Sequence, residues 1–339
     1  MTENSATGQT VPSDPITHTG PAPGGALPGE ASPSNLIFGL TVLGAGSATP
    51  SLLHHPTAQL LHYNGEYFLI DCGEGTQFRL LEQKIRPGRL RHIFISHLHG
   101  DHYFGLAPLL STLNLGGRTD DLFLFGPAGL DDVLTTIFRQ SDTRLGYPLH
   151  FTPVNPDHPT QLLTDHASLT VETIPLDHRI GCTGYLFREK PPRRKLLRDR
   201  LPDDAPIAWF NQLKDGRDIL NEQDEVLFSV ADCTVPGPPA RSYAFCSDTR
   251  FDERIIPLVQ GVDLLYHEAT FLEDNAVRAN EVYHSTARQA ALIAVKAQVG
   301  RLLVGHFSSR YKETGPFLIE ARPVFAETYL AEEGVYTEI

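Results

Sequence analysis

The 339-residue chain predicts a layered α/β protein, with sheets inside and helices outside. Three observations carry that reading. Short apolar runs of strand length recur along the chain, a few helical stretches are distributed among them, and no repeat at solenoid spacing is present. With 41% hydrophobic residues the chain can build a core, which excludes wholesale disorder. No run approaches the roughly 20 apolar residues of a membrane helix, so a spanning protein is excluded as well.

Residues 1–34 are rich in Pro, Gly, Ser and Thr without apolar periodicity, and read as a solvated, disordered tail. They contain neither Lys nor Arg nor an apolar stretch, so no signal peptide is expected. The folded part, 35–339, opens with a strand from Leu36 to Gly44. Past a Gly-rich turn at Gly44–Gly46 come strands at Ala58–Tyr63 and Tyr67–Ile70, a short helix over Thr76–Gln83 and a strand at Arg91–Ser96. Further strands are expected near Leu122–Phe125, Leu169–Ile174, Thr183–Arg188, Ser242–Cys246, Val262–Tyr266, Arg301–Val304 and Val335–Glu338. Helices are expected over Pro127–Arg139, Thr286–Ala297 and Leu318–Leu330.

One segment breaks the pattern. Residues 188–200 hold seven basic and two acidic side chains in a chain of net charge −13, and the stretch from there to Arg241 is rich in Pro and Asp. Residues 189–241 therefore read as an insertion projecting from the core; the plainer alternative is a solvated charged loop. The acidic total argues against unspecific nucleic-acid binding but leaves room for such a local basic patch. Four separated cysteines (Cys72, Cys182, Cys233, Cys246) form no CxxC pair, which excludes a disulfide scaffold or zinc ribbon and fits a reducing cytoplasm.

Function is concentrated in the 15 histidines. His97, His99, Asp101 and His102 follow directly on an apolar strand, with Gly100 allowing a tight turn. Four ligand-type residues within six positions suit Zn²⁺ or a similar borderline ion. Three more candidates also sit just after apolar strands: His178, Asp248 and His306. Strand ends on one sheet edge hold such groups rigidly while loops shape a pocket. Each has a plainer alternative, His178 or His306 as capped loop residues and Asp248 as the N-cap of a helix beginning near Phe251. Together the seven suffice for two ions if one carboxylate, most naturally Asp248, bridges them. His18, His54, His55, His62, His92, His150, His158 and His166 show no such convergence and read as surface or structural.

This constellation resembles the metallo-β-lactamase superfamily, which implies an αββα sandwich. More closely, from about Leu40 onward, it resembles the short form of the ribonuclease Z family. The resemblance rests on Leu43-Gly44-Ala45-Gly46-Ser47, Asp71-Cys72-Gly73-Glu74-Gly75-Thr76-Gln77, the histidine cluster and His267-Glu268-Ala269-Thr270. His284-Ser285-Thr286 and His306-Phe307-Ser308-Ser309-Arg310-Tyr311 complete it. It implies a zinc-dependent endoribonuclease that removes the 3′ trailer from tRNA precursors by hydroxide attack, leaving a 3′-hydroxyl. By the same resemblance His97, His99 and His178 hold one zinc, Asp101, His102 and His306 the other, and Asp248 lies between them. Asp101 also accepts the proton of the attacking water, His284 is the general acid for the leaving oxygen, and Glu268 orients its ring. The alternative for His284 is a residue beside a helix N-cap. Arg310 is placed to hold a substrate phosphate, against the duller reading of a surface ion pair.

The family also implies that 189–241 is an arm gripping tRNA, and that a homodimer lends one subunit's arm to the other's site. Two segments depart from the family's pattern. Asp204–Phe210 stands where a Gly-Pro segment is expected, and the loop 50–56 lacks the Lys and Arg-Asn seen in many members. The main rival is a hydrolase of small phosphodiesters, lactones or sulfate esters on the same fold. A second is a catalytically idle zinc protein that scaffolds RNA, against which the complete ligand set stands.

Overall fold

A computed structural model describes residues 16–18, 38–49 and 51–339. The strands in chain order are β1 (Ile16–His18), β2 (Phe38–Gly44), β3 (Ala58–Tyr63), β4 (Glu66–Ile70), β5 (Leu90–Phe94), β6 (Leu122–Pro127), β7 (Leu149–Val154), β8 (Leu162–Asp165), β9 (Leu169–Leu176) and β10 (Cys182–Glu189). They continue as β11 (Lys195–Leu196), β12 (Ile219–Leu220), β13 (Val226–Phe228), β14 (Thr234–Val235), β15 (Ser242–Cys246), β16 (Leu264–Glu268), β17 (Arg301–Gly305), β18 (Thr328–Leu330) and β19 (Tyr336–Glu338). Eight form one sheet in the order β1-β7-β6-β5-β4-β3-β2-β19, and seven the other in the order β18-β17-β16-β15-β10-β9-β8.

Period-2 alternation explains the layering. In and just beyond β5, Phe94 faces the second sheet, its ring centroid 5.4 Å from Phe187 and 5.2 Å from Tyr185. Ile93 and Ile95 point the other way, into a cluster with Leu80, Leu106, Leu109, Leu110, Leu134 and Phe138 from the helices Thr76–Glu82, Leu106–Leu115 and Leu130–Gln140. Ala287, Ala290, Ile293 and Phe317, from Ala287–Lys296 and Gly315–Ala321, cover the outer face of the second sheet. The result is the αββα sandwich.

Strand direction places the site. β15, β16 and β17 are parallel, and β9 shares their direction because β10 is antiparallel to both β9 and β15. The ends of β9, β15, β16 and β17 therefore lie on one edge. The end of β5 meets them there, where Thr183 N donates to Ser96 O at 3.1 Å.

The helix expected over Leu318–Leu330 is corrected. It runs Gly315–Ala321, and the chain then turns into β18. Pro323 lacks an amide hydrogen and restricts Arg322, which stops the helix. The helix Leu106–Leu115 is absent from the sequence expectation; its Pro108 lies in the first turn, where no intrahelical donor is lost. Within the expected tail, Ile16–His18 runs parallel to β7; the remainder of 1–34 lies outside the described residues.

The insertion 189–241 leaves from β10 and returns into β15, its antiparallel neighbour. Glu189 N donates to Arg241 O at 2.9 Å, and the Glu189 carboxylate accepts from Arg241 Nε and Nη2 at 3.0 and 2.8 Å. Beyond this staple, β11 pairs β14, β12 pairs β13, and the helix Ile207–Lys214 closes a small core of Leu201, Leu213, Ile219 and Cys233. The segment thus has more core than its Pro- and Asp-rich composition suggests. A Gly-Pro pair stands elsewhere in the segment, at Gly237-Pro238, where a Cβ on the glycine would lie 2.9 Å from the carbonyl oxygens of Pro192 and Arg193. No helix among the described residues is long and apolar enough to cross a membrane.

Candidate metal centre and catalytic cleft

After β5 the chain continues through Ile95 and Ser96 to His97 and His99, and the short helix Gly100–Tyr103 carries Asp101 and His102. The Phe104 ring lies where a Cβ at Gly100 would stand, packed over the start of that helix. His178 follows β9, Asp248 follows β15, and His306 follows β17 in the left-handed region at φ 63°. All seven expected ligands come together. Ligand atoms of His97, His99, His178 and Asp248 lie within 4.8 Å of one another, as do those of Asp101, His102 and His306.

Asp248 faces both groups. Its Oδ2 is 3.6 Å from His97 Nε2 and 3.9 Å from His178 Nε2, while Oδ1 is 3.5 Å from His102 Nε2 and 3.2 Å from His306 Nε2. Asp101 Oδ2 lies 3.2 and 3.4 Å from those same two nitrogens of His102 and His306. The capping alternative for Asp248 fails, because Asp252 caps the next helical turn by accepting from Arg254 N.

Surrounding groups aim the rings. Asp71 is fully buried and accepts from Ser96 N at 2.7 Å, from Ser96 Oγ at 2.9 Å and from His102 Nδ1 at 2.7 Å. With its proton given to Asp71, Ser96 Oγ accepts from His97 Nδ1 at 3.0 Å. His178 Nδ1 donates to Tyr283 O at 3.0 Å, and His306 Nδ1 to Thr270 Oγ1 at 2.8 Å. Four rings thus present bare Nε2 atoms inward, and His99 presents Nδ1, which lies 3.0 Å from His97 Nε2 and 3.2 Å from His178 Nε2. Such outer partners fix tautomer and aim in metal-binding histidines.

The electrostatics fit a cation. Burial holds His97, His99 and His178 below the usual imidazole value, which keeps the ligating lone pairs free. Burial also opposes charge on His102, but Asp248, Asp101 and Asp71 overcome it and raise that ring well above its usual value. Against a desolvation that favours their neutral forms, His102 and His306 hold Asp101 and Asp248 well below the usual carboxylate range. His102 Nε2 and Asp248 Oδ1 are buried without a hydrogen-bond partner, which is costly unless a ligand engages them. The residues present therefore suit metal binding.

Beside them, His284 Nδ1 is 2.9 Å from Glu268 Oε1. Glu268 is fully buried and also accepts from the amides of Thr249, Thr270 and Ser285 at 3.1, 2.9 and 3.1 Å. Burial disfavours the imidazolium, yet the Glu268 charge prevails and raises His284 to about 9. Distance alone also groups His284 with Asp248 and His306, but where His102 is charged chiefly by Asp248 and Asp101, carboxylates that a cation would engage, His284 is charged by Glu268, which lies outside the ligand groups, and so keeps a proton to donate. The helix that follows is capped by Thr286 and Gln289, so His284 has no capping duty.

The cleft above these groups, about 710 Å³, is lined by Arg179, Arg278 and Arg310 among others. Arg310 donates to Asn275 Oδ1 at 3.0 Å and lies over Phe271, in place of a carboxylate pair. Residue-by-residue reading of the sequence passes over Asp71, Ser96, Thr270 and Arg179. Asp71 and Thr270 stand in motifs that carry the resemblance, but their contacts to the ligand rings show only in three dimensions, Asp71 at a strand end with φ 55°.

A family profile described as Anti-Pycsar protein Apyc1 matches residues 38–178. The chain is 48% identical to a ribonuclease Z from Cytophaga hutchinsonii over 297 residues, covering 88% of this chain and 95% of that protein. The chain belongs to the ribonuclease Z family. A ribonuclease Z from Parabacteroides distasonis is 44% identical, covering 88% of this chain and 98% of its own. Among solved structures, human tRNase Z, short form, superposes with a TM-score of 0.63 at 27% identity, covering 88% of this chain and 98% of that one. The metallo-β-lactamase fold protein YhfI from Bacillus subtilis, at 19% identity and TM-score 0.64, shares the fold, covering 90% of this chain and 100% of its own.

Proposed function

We propose that this ribonuclease Z family member is a zinc-dependent endoribonuclease of the cytoplasm that removes the 3′ trailer from tRNA precursors. The observation that carries the reading is Asp248, whose two oxygens face two separate histidine groups with the Glu268–His284 pair alongside. His97, His99 and His178 would hold one zinc, Asp101, His102 and His306 a second, and Asp248 both. Two bound zinc ions supply acidified water and neutralise phosphate charge.

The chain's own residues do the rest. Asp101, held anionic beside His102 and His306, would orient the attacking water and take up the proton it gives up, passing it on to solvent. His284, its Nδ1 held by Glu268, donates the Nε2 proton to the departing ribose 3′-oxygen. As water oxygen bonds to phosphorus, the bond to the 3′-oxygen breaks, leaving a tRNA 3′-hydroxyl and a trailer with a 5′-phosphate. Arg310, which also lines the cleft, steadies a substrate phosphate.

For grip on tRNA, the arm's cations divide into two sets. Arg193 pairs with Asp215, Arg194 holds Thr234, Lys190 pairs with Asp165, and Arg198 donates to the carbonyls of Leu201, Pro202 and Asp203. Lys195, and Arg200, whose exposed side chain meets only the neighbouring Asp199 at 3.9 Å, are the better placed to meet phosphate. Residues 218–232 hold five acidic side chains and no basic one, which would repel a phosphate backbone. RNA therefore approaches the 190–200 side of the arm, and in a homodimer that arm serves the partner's cleft. The test is cleavage of a trailer-bearing tRNA precursor by the zinc-loaded protein, mapped at nucleotide resolution. A single cut past the discriminator nucleotide, abolished by a chelator, supports the reading. Hydrolysis of small esters alone would replace it with the small-substrate hydrolase.

A further inference from the structure

A second hollow, about 640 Å³, adjoins the cleft and shares with it His178 and Arg179, which line both. Its walls mix polar and apolar surface in about equal parts, the apolar part from Pro156, Pro159, Leu176, Ile180 and Leu258. Its carboxylates are largely answered. Asp177 pairs with Arg250 and Arg254, and Asp252 with Arg254. Arg179, at the junction, forms no ion pair among the described residues, and its Nη2 is 3.1 Å from His99 Nε2. That contact is weak in kind. Ligation through His99 Nδ1 puts the ring proton on Nε2, which makes both atoms donors and turns the guanidinium toward another acceptor.

We infer that this hollow is the trailer subsite: it receives the first single-stranded nucleotides 3′ of the cut, with Arg179 on the first phosphodiester beyond the scissile one. The inference rests on the proposed tRNA-processing activity. The two sides of the cut differ in bulk. A folded tRNA body needs an open approach, whereas a single strand can thread a hollow of this size, its bases against the apolar part of the walls and its phosphate on an uncommitted arginine. Continuity with the cleft through His178 and Arg179 leads the strand there directly from the reacting phosphorus.

The test uses the zinc-loaded full-length protein and 5′-phosphorylated oligoribonucleotides of one to five residues, chemically the released trailers, as competitive inhibitors of precursor cleavage. Inhibition should strengthen from one to three residues and then level off, and kcat/KM should rise in step for precursors with lengthening trailers. Arg179→Ala should remove about tenfold of that gain, the effect expected for one charge-assisted hydrogen bond. Ile180→Asp, which sets a carboxylate on a partly exposed wall, should flatten the dependence by repulsion rather than by removing a hydrogen bond. Length-independent inhibition in the unmodified protein, or the same dependence in both variants, would overturn the subsite while leaving cleavage itself intact. Failure of the unmodified protein to cut any precursor would instead remove the activity on which the subsite rests.

Discussion

His284→Ala separates a proton donor from a ligand. Glu268 raises the His284 imidazole to about 9, so at neutral pH about 99% of the donor is in its competent form. The active form is the protonated one, so the rate limited by this step is flat below about pH 9 and falls above it. Removing a general acid costs roughly 10²–10⁴ in rate when the leaving group needs the proton. A ribose 3′-oxygen needs it; a p-nitrophenolate does not. Single-turnover cleavage of a tRNA precursor should therefore fall by roughly that factor in the variant and lose its alkaline limb. Hydrolysis of a p-nitrophenyl phosphodiester should fall far less. Equal losses on both substrates, or departure of zinc from the variant, would refute the assignment and make His284 a ligand, as its distance to Asp248 and His306 permits.

Thr270→Val keeps the volume but removes the acceptor for His306 Nδ1 and one donor to Glu268, and should weaken zinc binding by about 10–100-fold in chelator competition. Unchanged affinity would show that the ring is aimed by packing alone. Reversing Lys195 and Arg200 to Glu should raise KM for precursor tRNA and flatten its dependence on log salt, the slope falling by roughly one for each phosphate no longer neutralised. Neutralising Glu222, Asp224 and Glu225 should not weaken binding, and a rise in KM there would place the RNA on the wrong side of the arm. His92 is held down to about 3 by burial, helped by His166 and Arg91. Its neutral form is native, so stability is full above the unfolded value near 6.5 and falls by about 1.4 kcal/mol per pH unit below it, toward pH 3. His92→Phe, in a ring stack already made by Phe68 and Phe123, should remove that part of the acid slope in denaturant titrations.

The candidate ligands can be picked out of the sequence by two local features: a dense histidine cluster in the turn and short helix after β5, and ligand-type residues just past other apolar strands. His178, Asp248 and His306 show the second feature, and the parallel strands then bring them to one edge. What positions the ligands is not legible. Asp71 reaches His102 across 31 positions and Thr270 reaches His306 across 36, and nothing local in either sequence announces the contact. Helix ends fail where a single proline decides, as at Pro323, and the arm's core is hidden because its few apolar residues are scattered among charges.

The staple between Glu189 and Arg241 makes the arm a cassette. Departure and return occur at neighbouring positions of two already paired strands, so the whole segment between them can be lengthened, shortened or exchanged without shifting the register of any strand that carries a ligand. With the arm proposed to grip tRNA, substrate handling and bond cleavage would diversify on separate schedules: a chain with this site edge would acquire a new client through one exchange, and a designer would graft a different grip at the same two residues.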